Sequence, residues 1–190
     1  MKIKLRNMCF AHAAVHDIHH VALVPEVQQA LAAWIKAKTE TCAPGVLIGG
    51  LAMSFYAKPR YTEDADILFL SATDIPETVK GFKRTRSGAF QENKTHVEVE
   101  VVTTQSINQT QELVKKVIET AVIHDGIKVA SIEGLIALKL VASDNPKRKH
   151  RDLGDIDLML ENNPRPDMSE WPIEQKHFTK FEELCEVIYK

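Results

Sequence analysis

Two aspartates separated by a single residue, Asp64 and Asp66, have the type and spacing needed to hold a metal ion. An apolar run follows them, which predicts a short buried strand over residues 64–70. Alternate residues of a strand project from the same face, so the carboxylates would face one pocket with their Cα atoms about 6.6 Å apart. Carboxylates at this spacing can share Mg²⁺ or Mn²⁺. The pair could instead begin a turn, or form the DxD motif that also occurs in glycosyltransferases.

A glycine pair, Gly49 and Gly50, stands where a predicted buried strand over 46–48 meets a predicted short helix over 51–57. At such a junction the exposed N–H groups and the positive end of the helix favour a phosphate group. Glycine also forms plain turns, because it adopts backbone angles that other residues avoid. The pair is therefore either a phosphate-binding bend or a structural turn.

Glu98 and Glu100 alternate with valines in the segment 97–103, which predicts a strand with both glutamates on one face. If this strand lies beside the strand of the aspartates, one glutamate completes a three-carboxylate site. Two metal ions held there about 3.5–4 Å apart would stabilise the attacking and leaving oxygens of a phosphoryl or nucleotidyl transfer. Taken alone, the glutamates would form the solvated face of an edge strand.

Lys139 lies in a predicted helix over 131–143 that carries apolar side chains in nearly every direction, with Glu133 as its other charged residue. A helix that is apolar all round is a buried helix. A buried ammonium group needs a partner or a shifted pKa, and a nucleotide phosphate could be that partner. The alternative is that the long side chain extends to water.

The order of these motifs resembles the DNA polymerase β-like nucleotidyltransferase superfamily, and most of all small bacterial proteins of the AbiEii type, the toxins of some toxin–antitoxin systems. The resemblance spans about residues 45–160. It rests on GG followed by R-x-T-x-D-x-D, then on VEVEVVT, IEGLIALKL and RDLGDI. It implies an α/β (α+β) fold, in which a mixed β-sheet nucleotidyltransferase core carries flanking helices and a helical C-terminal part.

The resemblance also implies roles for the residues at matching positions. Asp64, Asp66 and Glu100 would be catalytic and would bind metal, with Glu98 as the second choice for the third carboxylate. A nucleotide would be bound by Gly49, Gly50, Arg60, Thr62, Lys139, Asp152 and Asp155. The chain departs from the pattern in two ways: Gly-Gly replaces the Gly-Ser of many members, which removes a hydroxyl contact to phosphate, and the third carboxylate is a glutamate.

Three of these residues also have structural interpretations. Asp152 and Asp155 could be acids near a helix N-terminus that offset the helix dipole. Arg60 could be an ion-pair partner. The basic run 147–151 could be a solvated loop or a strip that attracts RNA or nucleotide phosphates.

The implied activity is transfer of a nucleoside monophosphate from an NTP to an acceptor hydroxyl, on tRNA or on a protein, with Mg²⁺ or Mn²⁺ as cofactor. An antitoxin protein would be a partner. The alternative is an inactive protein with the same fold that binds a nucleotide or RNA, and the missing hydroxyl of the glycine pair motivates it.

Composition limits the class of protein. The 190 residues include 24 Lys+Arg and 26 Asp+Glu, a formal charge of −2, and 44% of them are hydrophobic. These values exclude a largely disordered chain, and the apolar stretches are too short for a membrane span. Three widely spaced cysteines fit a reducing compartment, so we expect a cytoplasmic protein without a disulfide framework.

The chain divides into three predicted parts. Residues 1–24 would form an N-terminal extension, residues 25–130 the nucleotidyltransferase core, and residues 131–190 a helical C-terminal part packed on the core. The extension contains Cys9 and four histidines with a partial resemblance to zinc-site spacing, although a closed site usually has a tighter pattern.

Overall fold

The computed structural model describes residues 25–38, 45–58, 62, 64–124 and 127–190. This part of the chain forms a mixed seven-stranded sheet with flanking helices, which confirms the predicted fold class. The proposed N-terminal extension lies outside the described residues, as does Arg60. Within the described segments, no helix combines the length and the apolar character needed to cross a bilayer.

The strands and helices are interspersed up to the last strand, and three helices follow it. The strands are β1 (Val46–Ile48), β2 (Ala65–Phe69), β3 (Phe82–Arg84), β4 (Phe90–Glu92), β5 (Glu98–Thr103), β6 (Val122–His124) and β7 (Ile127–Val129). The helices are α1 (Pro25–Lys38), α2 (Gly49–Met53), α3 (Gln111–Glu119), α4 (Ile132–Ala142), α5 (Lys149–Asn162) and α6 (Gln175–Ile188), with a 3₁₀ turn at Ala72–Asp74. The strands lie in the order β3-β4-β5-β2-β1-β7-β6.

The three central strands determine where the acidic residues lie. β2 and β5 pair in parallel, with Asp66 opposite Glu100. β1 pairs antiparallel with β2, with Ile48 opposite Asp66, and the chain enters the glycine pair directly after Ile48. β5 is therefore an interior strand between β4 and β2, and the edge-strand alternative for its glutamates is wrong.

Helix α4 lies at the centre of the helical layer. The Ser131 hydroxyl accepts a hydrogen bond from the Gly134 N–H at 3.2 Å, which begins the helix with a side-chain cap. The helix then contacts α2, α3, α5 and α6. Neighbours on several sides explain why its sequence is apolar all round, as expected for a buried helix.

One predicted helix is wrong. The sequence predicts a helix over Asp74–Phe82, but the structure has only the 3₁₀ turn there, followed by an irregular segment and β3. Ile75 has an extended conformation (φ −76°, ψ 127°), which is the conformation that Pro76 imposes on the residue before it. The segment leads instead into the β3–β4 hairpin, on which Trp34 of α1 packs with its ring edge-on to Phe82 and Phe90.

Candidate active site

Three carboxylates of the central strands converge at one point. Asp66 on β2 and Glu100 on β5 are opposite each other in a parallel pair, and Asp64 lies two residues before Asp66. One carboxylate oxygen of each residue lies within 4.8 Å of the other two. This set of three residues is called the carboxylate cluster below. Glu98 is not a member of it, so the geometry selects Glu100 as the third acidic group.

Local contacts position the two aspartates. Thr62 is buried, and its hydroxyl donates to Asp64 Oδ1 at 3.0 Å, which fixes the orientation of that carboxylate. Gly49 has a φ of +73°, and a Cβ atom at this position would collide with the carboxylate of Asp66. Two features therefore require glycine at position 49. One is the positive φ, and the other is the close approach of the backbone to the Asp66 carboxylate.

The carboxylates of the cluster repel one another. The pKa of Asp66 is raised to about 7 by burial, then by the negative charges of Asp64 and Glu100, while the positive charges of Arg148 and Lys139 oppose the rise. Desolvation and the charge of Asp64 also raise the pKa of Glu100. A site of this kind is stabilised by a proton or by a cation.

Lys139 is buried, with 6% of its surface exposed, so the alternative in which it extends to water is wrong. Its ammonium group donates to Asp155 Oδ2 at 2.5 Å and to Asp152 Oδ1 at 3.3 Å. Both aspartates are buried as well. The sequence predicted a charge partner for Lys139, and in the structure that partner is a carboxylate pair on α5.

The sequence indicated Arg148 only as a member of the basic run 147–151. Its contact with Asp152 was not predicted. Its Nε donates to Asp152 Oδ2 at 3.0 Å, and its charge lowers the pKa of Asp66. Arg148 thus pairs with Asp152 of α5, and its charge also acts on Asp66 of the carboxylate cluster. The spacing of four residues between Arg148 and Asp152 is the one sequence signal that indicates this contact.

The chemistry of the donor set fits a hard divalent cation. Three carboxylates from two strands supply oxygen ligands to one point, and oxygen is what Mg²⁺ and Mn²⁺ prefer. The mutual repulsion of these groups would be relieved by a cation. The nearby cationic groups, Lys139 and Arg148, are held by carboxylates on α5.

A family model described as the nucleotidyl transferase AbiEii toxin of type IV toxin–antitoxin systems matches residues 77–181, more than half of the chain. The chain belongs to the AbiEii nucleotidyltransferase family. The matched region includes Glu100, Lys139, Asp152 and Asp155, and it begins after the strand that carries Asp66. This match confirms the resemblance seen in the sequence. The nucleotidyltransferase class of the chain rests on the family match.

The chain is also similar to a solved structure, an antigenic nucleotidyltransferase-like protein from Paracoccidioides brasiliensis. The two share 19% sequence identity, and the match covers 75% of this chain and 79% of the other, with a TM-score of 0.49. A comparison with curated proteins gives no match.

Replacement of Lys139 by methionine should destabilise the fold, because it removes the ammonium group that pairs with the buried carboxylates of Asp152 and Asp155. We expect the free energy of unfolding to fall by about 3–5 kcal/mol, the usual cost of breaking a buried ion pair from one side. Urea unfolding followed by circular dichroism measures this change.

The matched control is Lys176→Met, because Lys176 is an exposed lysine that also contacts two carboxylates, those of Asp144 and Glu174. Its loss should change the free energy of unfolding little, because exposed ion pairs contribute little to stability. Adding Asp152→Asn and Asp155→Asn to Lys139→Met should recover much of the stability. Equal losses for Lys139→Met and Lys176→Met would contradict the buried ion pair.

The stability of the metal-free protein should fall as pH rises from about 4 to about 7. The pKa of Asp66 is about 7 in the folded chain against an ordinary value of 3.8, so the folded state holds the proton more tightly and loses that advantage as the group ionises. In EDTA-containing buffer, Asp66→Asn should flatten the dependence of the free energy of unfolding on pH in this range. Parallel curves for the two proteins would refute the raised pKa.

Proposed function

We propose that this chain transfers a nucleoside monophosphate from an NTP to an acceptor hydroxyl, on tRNA or on a protein, in a reaction that depends on Mg²⁺ or Mn²⁺. The observation that carries the proposal is the carboxylate cluster beside the Gly49 bend, in a chain of the AbiEii family. In the reaction, the acceptor oxygen forms a bond to the α-phosphorus, the bond to the leaving oxygen breaks, and pyrophosphate departs.

The metal would be held by Asp64, Asp66 and Glu100. When bound, it supplies Lewis-acid stabilisation of charge on the phosphates and on the attacking and leaving oxygens. Asp64 and Asp66 are partly buried, and the Thr62 hydroxyl keeps Asp64 oriented. Glu100 is the exposed member of the cluster, and we propose that it helps to activate the acceptor hydroxyl.

The other proposed nucleotide contacts surround the cluster. Gly49 and Gly50 begin α2 and would present backbone N–H groups to the phosphates. Lys139 and Arg148 already act on the charge of Asp66, and the same positive field would stabilise charge that develops on the phosphates. Lys139 would act while it stays paired with Asp152 and Asp155 of α5. These carboxylates would hold its ammonium group in place before a nucleotide binds.

The family description also supports a biological setting. We propose that the chain acts as the toxin of a toxin–antitoxin system in the cytoplasm and that a cognate antitoxin controls it. The family match supports the toxin assignment, and the small number of cysteines supports a reducing compartment.

The double variant Asp64→Ala, Asp66→Ala should abolish transfer of label from an α-³²P-labelled NTP to an acceptor. The single variants Glu100→Gln and Glu98→Gln form a matched pair, because both glutamates lie on the same face of β5. Glu100→Gln should lower the rate by about 100-fold or more, as expected when a group that stabilises transition-state charge is lost. Glu98→Gln should change the rate by less than about fivefold, since Glu98 lies outside the cluster.

Transfer is measured on total tRNA and on total protein with each of the four NTPs in turn. Circular dichroism of every variant shows whether its fold is intact. Unchanged transfer by the double aspartate variant would overturn the mechanism. Nucleotide binding that needs no divalent cation and yields no product would favour the inactive binding protein.

A further inference from the structure

The alternating sequence of β5 could place either of two glutamates opposite Asp66. A shift of β5 by two residues along β2 would exchange Glu100 for Glu98 and would keep the valines on the opposite face. The side-chain pattern of a strand repeats every two residues, and the hydrogen bonds of a parallel ladder are evenly spaced. The ladder between β2 and β5 therefore does not distinguish these two registers by itself.

The loop between β4 and β5 has a defined length that does distinguish them. The two strands pair antiparallel, with Gln91 opposite Glu98. The next residue, Glu92, donates its backbone N–H to the Val97 carbonyl oxygen at 2.9 Å, which leaves 93–96 as a loop of four residues. The register of a hairpin is fixed by its turn and by the length of its loop. Moving β5 by two residues would shift a loop of this length by one residue toward the N-terminus.

The carboxylate of Glu92 stabilises the loop in its present position. Glu92 is 4% exposed, and its Oε2 accepts three hydrogen bonds, from the Lys94 N–H at 2.9 Å, the Thr95 N–H at 2.6 Å and the Thr95 hydroxyl at 2.9 Å. Hydrogen bonds to an ionised acceptor are stronger than those between neutral groups. After the shift Glu92 would itself lie in the loop, so these bonds would be lost and a buried carboxylate would need new partners.

The backbone of the loop favours the same register. His96, the last residue of the loop, has a φ of +60°. This left-handed conformation is uncommon outside glycine, but histidine adopts it more readily than most residues. In the shifted register the last loop residue would be Thr95, and a positive φ is strained for a β-branched residue. The carboxylate of Glu92 and the conformation of His96 are thus two separate features that select one register.

We propose that Glu92 is a positioning residue of the candidate active site, which holds the β4–β5 loop so that Glu100, and not Glu98, completes the carboxylate cluster. Glu92 is not a member of the cluster and would touch neither metal nor nucleotide. It acts through β5, whose third residue is Glu100. The inference rests on the proposed function, because it assigns Glu92 a part in building the metal site.

The first test compares Mn²⁺ binding by variants of Glu92, measured by electron paramagnetic resonance. Glu92→Ala removes the acceptor of three hydrogen bonds and should weaken Mn²⁺ binding about tenfold, because Glu100 no longer has a fixed position. Glu92→Gln keeps a side-chain oxygen for the same donors and should bind Mn²⁺ within about threefold of the unmodified chain.

The matched control is Asp74→Ala. The Asp74 carboxylate also holds a turn, by accepting from the N–H and the hydroxyl of Ser71 at 2.9 Å each, but this turn follows β2 at the end away from Asp66. Its loss should leave the Mn²⁺ affinity unchanged. An equal loss of Mn²⁺ affinity in Asp74→Ala and Glu92→Ala would mean that any destabilised turn weakens the site, and it would overturn the specific role of Glu92.

Nuclear magnetic resonance reports the register directly, whether or not the chain is active. Nuclear Overhauser effects between backbone protons should join Phe90 to Val99 in the unmodified chain, because these residues are paired. In Glu92→Ala these effects should weaken, and effects that join Phe90 to Val97 should appear.

Kinetics give a second sign of the shift. In the unmodified chain Glu98→Gln should have little effect on transfer, since Glu98 lies outside the cluster. In the Glu92→Ala background the same substitution should lower kcat about tenfold and leave KM for the NTP unchanged, because Glu98 then replaces Glu100 in part of the molecules.

A pair of variants at His96 keeps the test decisive if Glu92→Ala fails to fold, because the His96 side chain is exposed. His96→Gly adopts a positive φ freely and should keep the register, whereas His96→Val should shift it and weaken Mn²⁺ binding. Unchanged pairing of Phe90 with Val99 in folded Glu92→Ala and His96→Val, or a shifted pairing with unchanged Mn²⁺ affinity, would overturn the proposal. A shifted pairing in a chain that binds no Mn²⁺ and transfers no label would support the role of Glu92 in setting the register and reject the proposed function.

Discussion

Repulsion between like charges is the constraint on which this candidate active site depends. Asp64, Asp66 and Glu100 offer oxygen atoms within 4.8 Å of one another, and burial together with that repulsion raises the pKa of Asp66 to about 7. Three carboxylates this close are costly to ionise together, because each ionised group raises the cost of ionising the next unless a proton or a positive charge compensates. The compensation visible in the chain comes from Lys139 and Arg148, which act on Asp66. A divalent cation would add to this compensation, and the cluster could hold one.

The positive groups owe their position to two helices with different roles. Helix α4 is buried among its neighbours and carries Lys139 inside the protein, where an ammonium group requires partners. Helix α5 supplies them through Asp152 and Asp155, and Asp152 also holds Arg148. The ion pairs thus hold both cationic groups in place against α5. Charge placed in this way stabilises a transition state without reorganisation during the reaction, which is the main means of catalysis in phosphoryl transfer.

Local sequence patterns predicted much of the site, and tertiary contacts supplied the rest. The alternation of Glu98 and Glu100 with valines predicted their strand, and the apolar surroundings of Lys139 predicted its burial. The choice of Glu100 over Glu98 needed the register of β5 against β2, which the alternation does not encode. The helix predicted over 74–82 was wrong because Pro76 holds the preceding residue extended.

The central claim is that the Gly49 bend leaves room for a carboxylate cluster that binds a divalent cation. Electron paramagnetic resonance of Mn²⁺ titrated into the protein tests it, with Gly49→Ala compared against Gly81→Ala. Both glycines have positive φ angles, +73° and +87°, so alanine carries a similar backbone penalty at each, but a Cβ at Gly49 meets Asp66 and a Cβ at Gly81 meets nothing within 4 Å. We predict that Gly81→Ala binds Mn²⁺ as the unmodified protein does, while Gly49→Ala binds it at least about tenfold more weakly. Equal Mn²⁺ affinity of the two variants, or no bound Mn²⁺ in the unmodified protein, would contradict the claim.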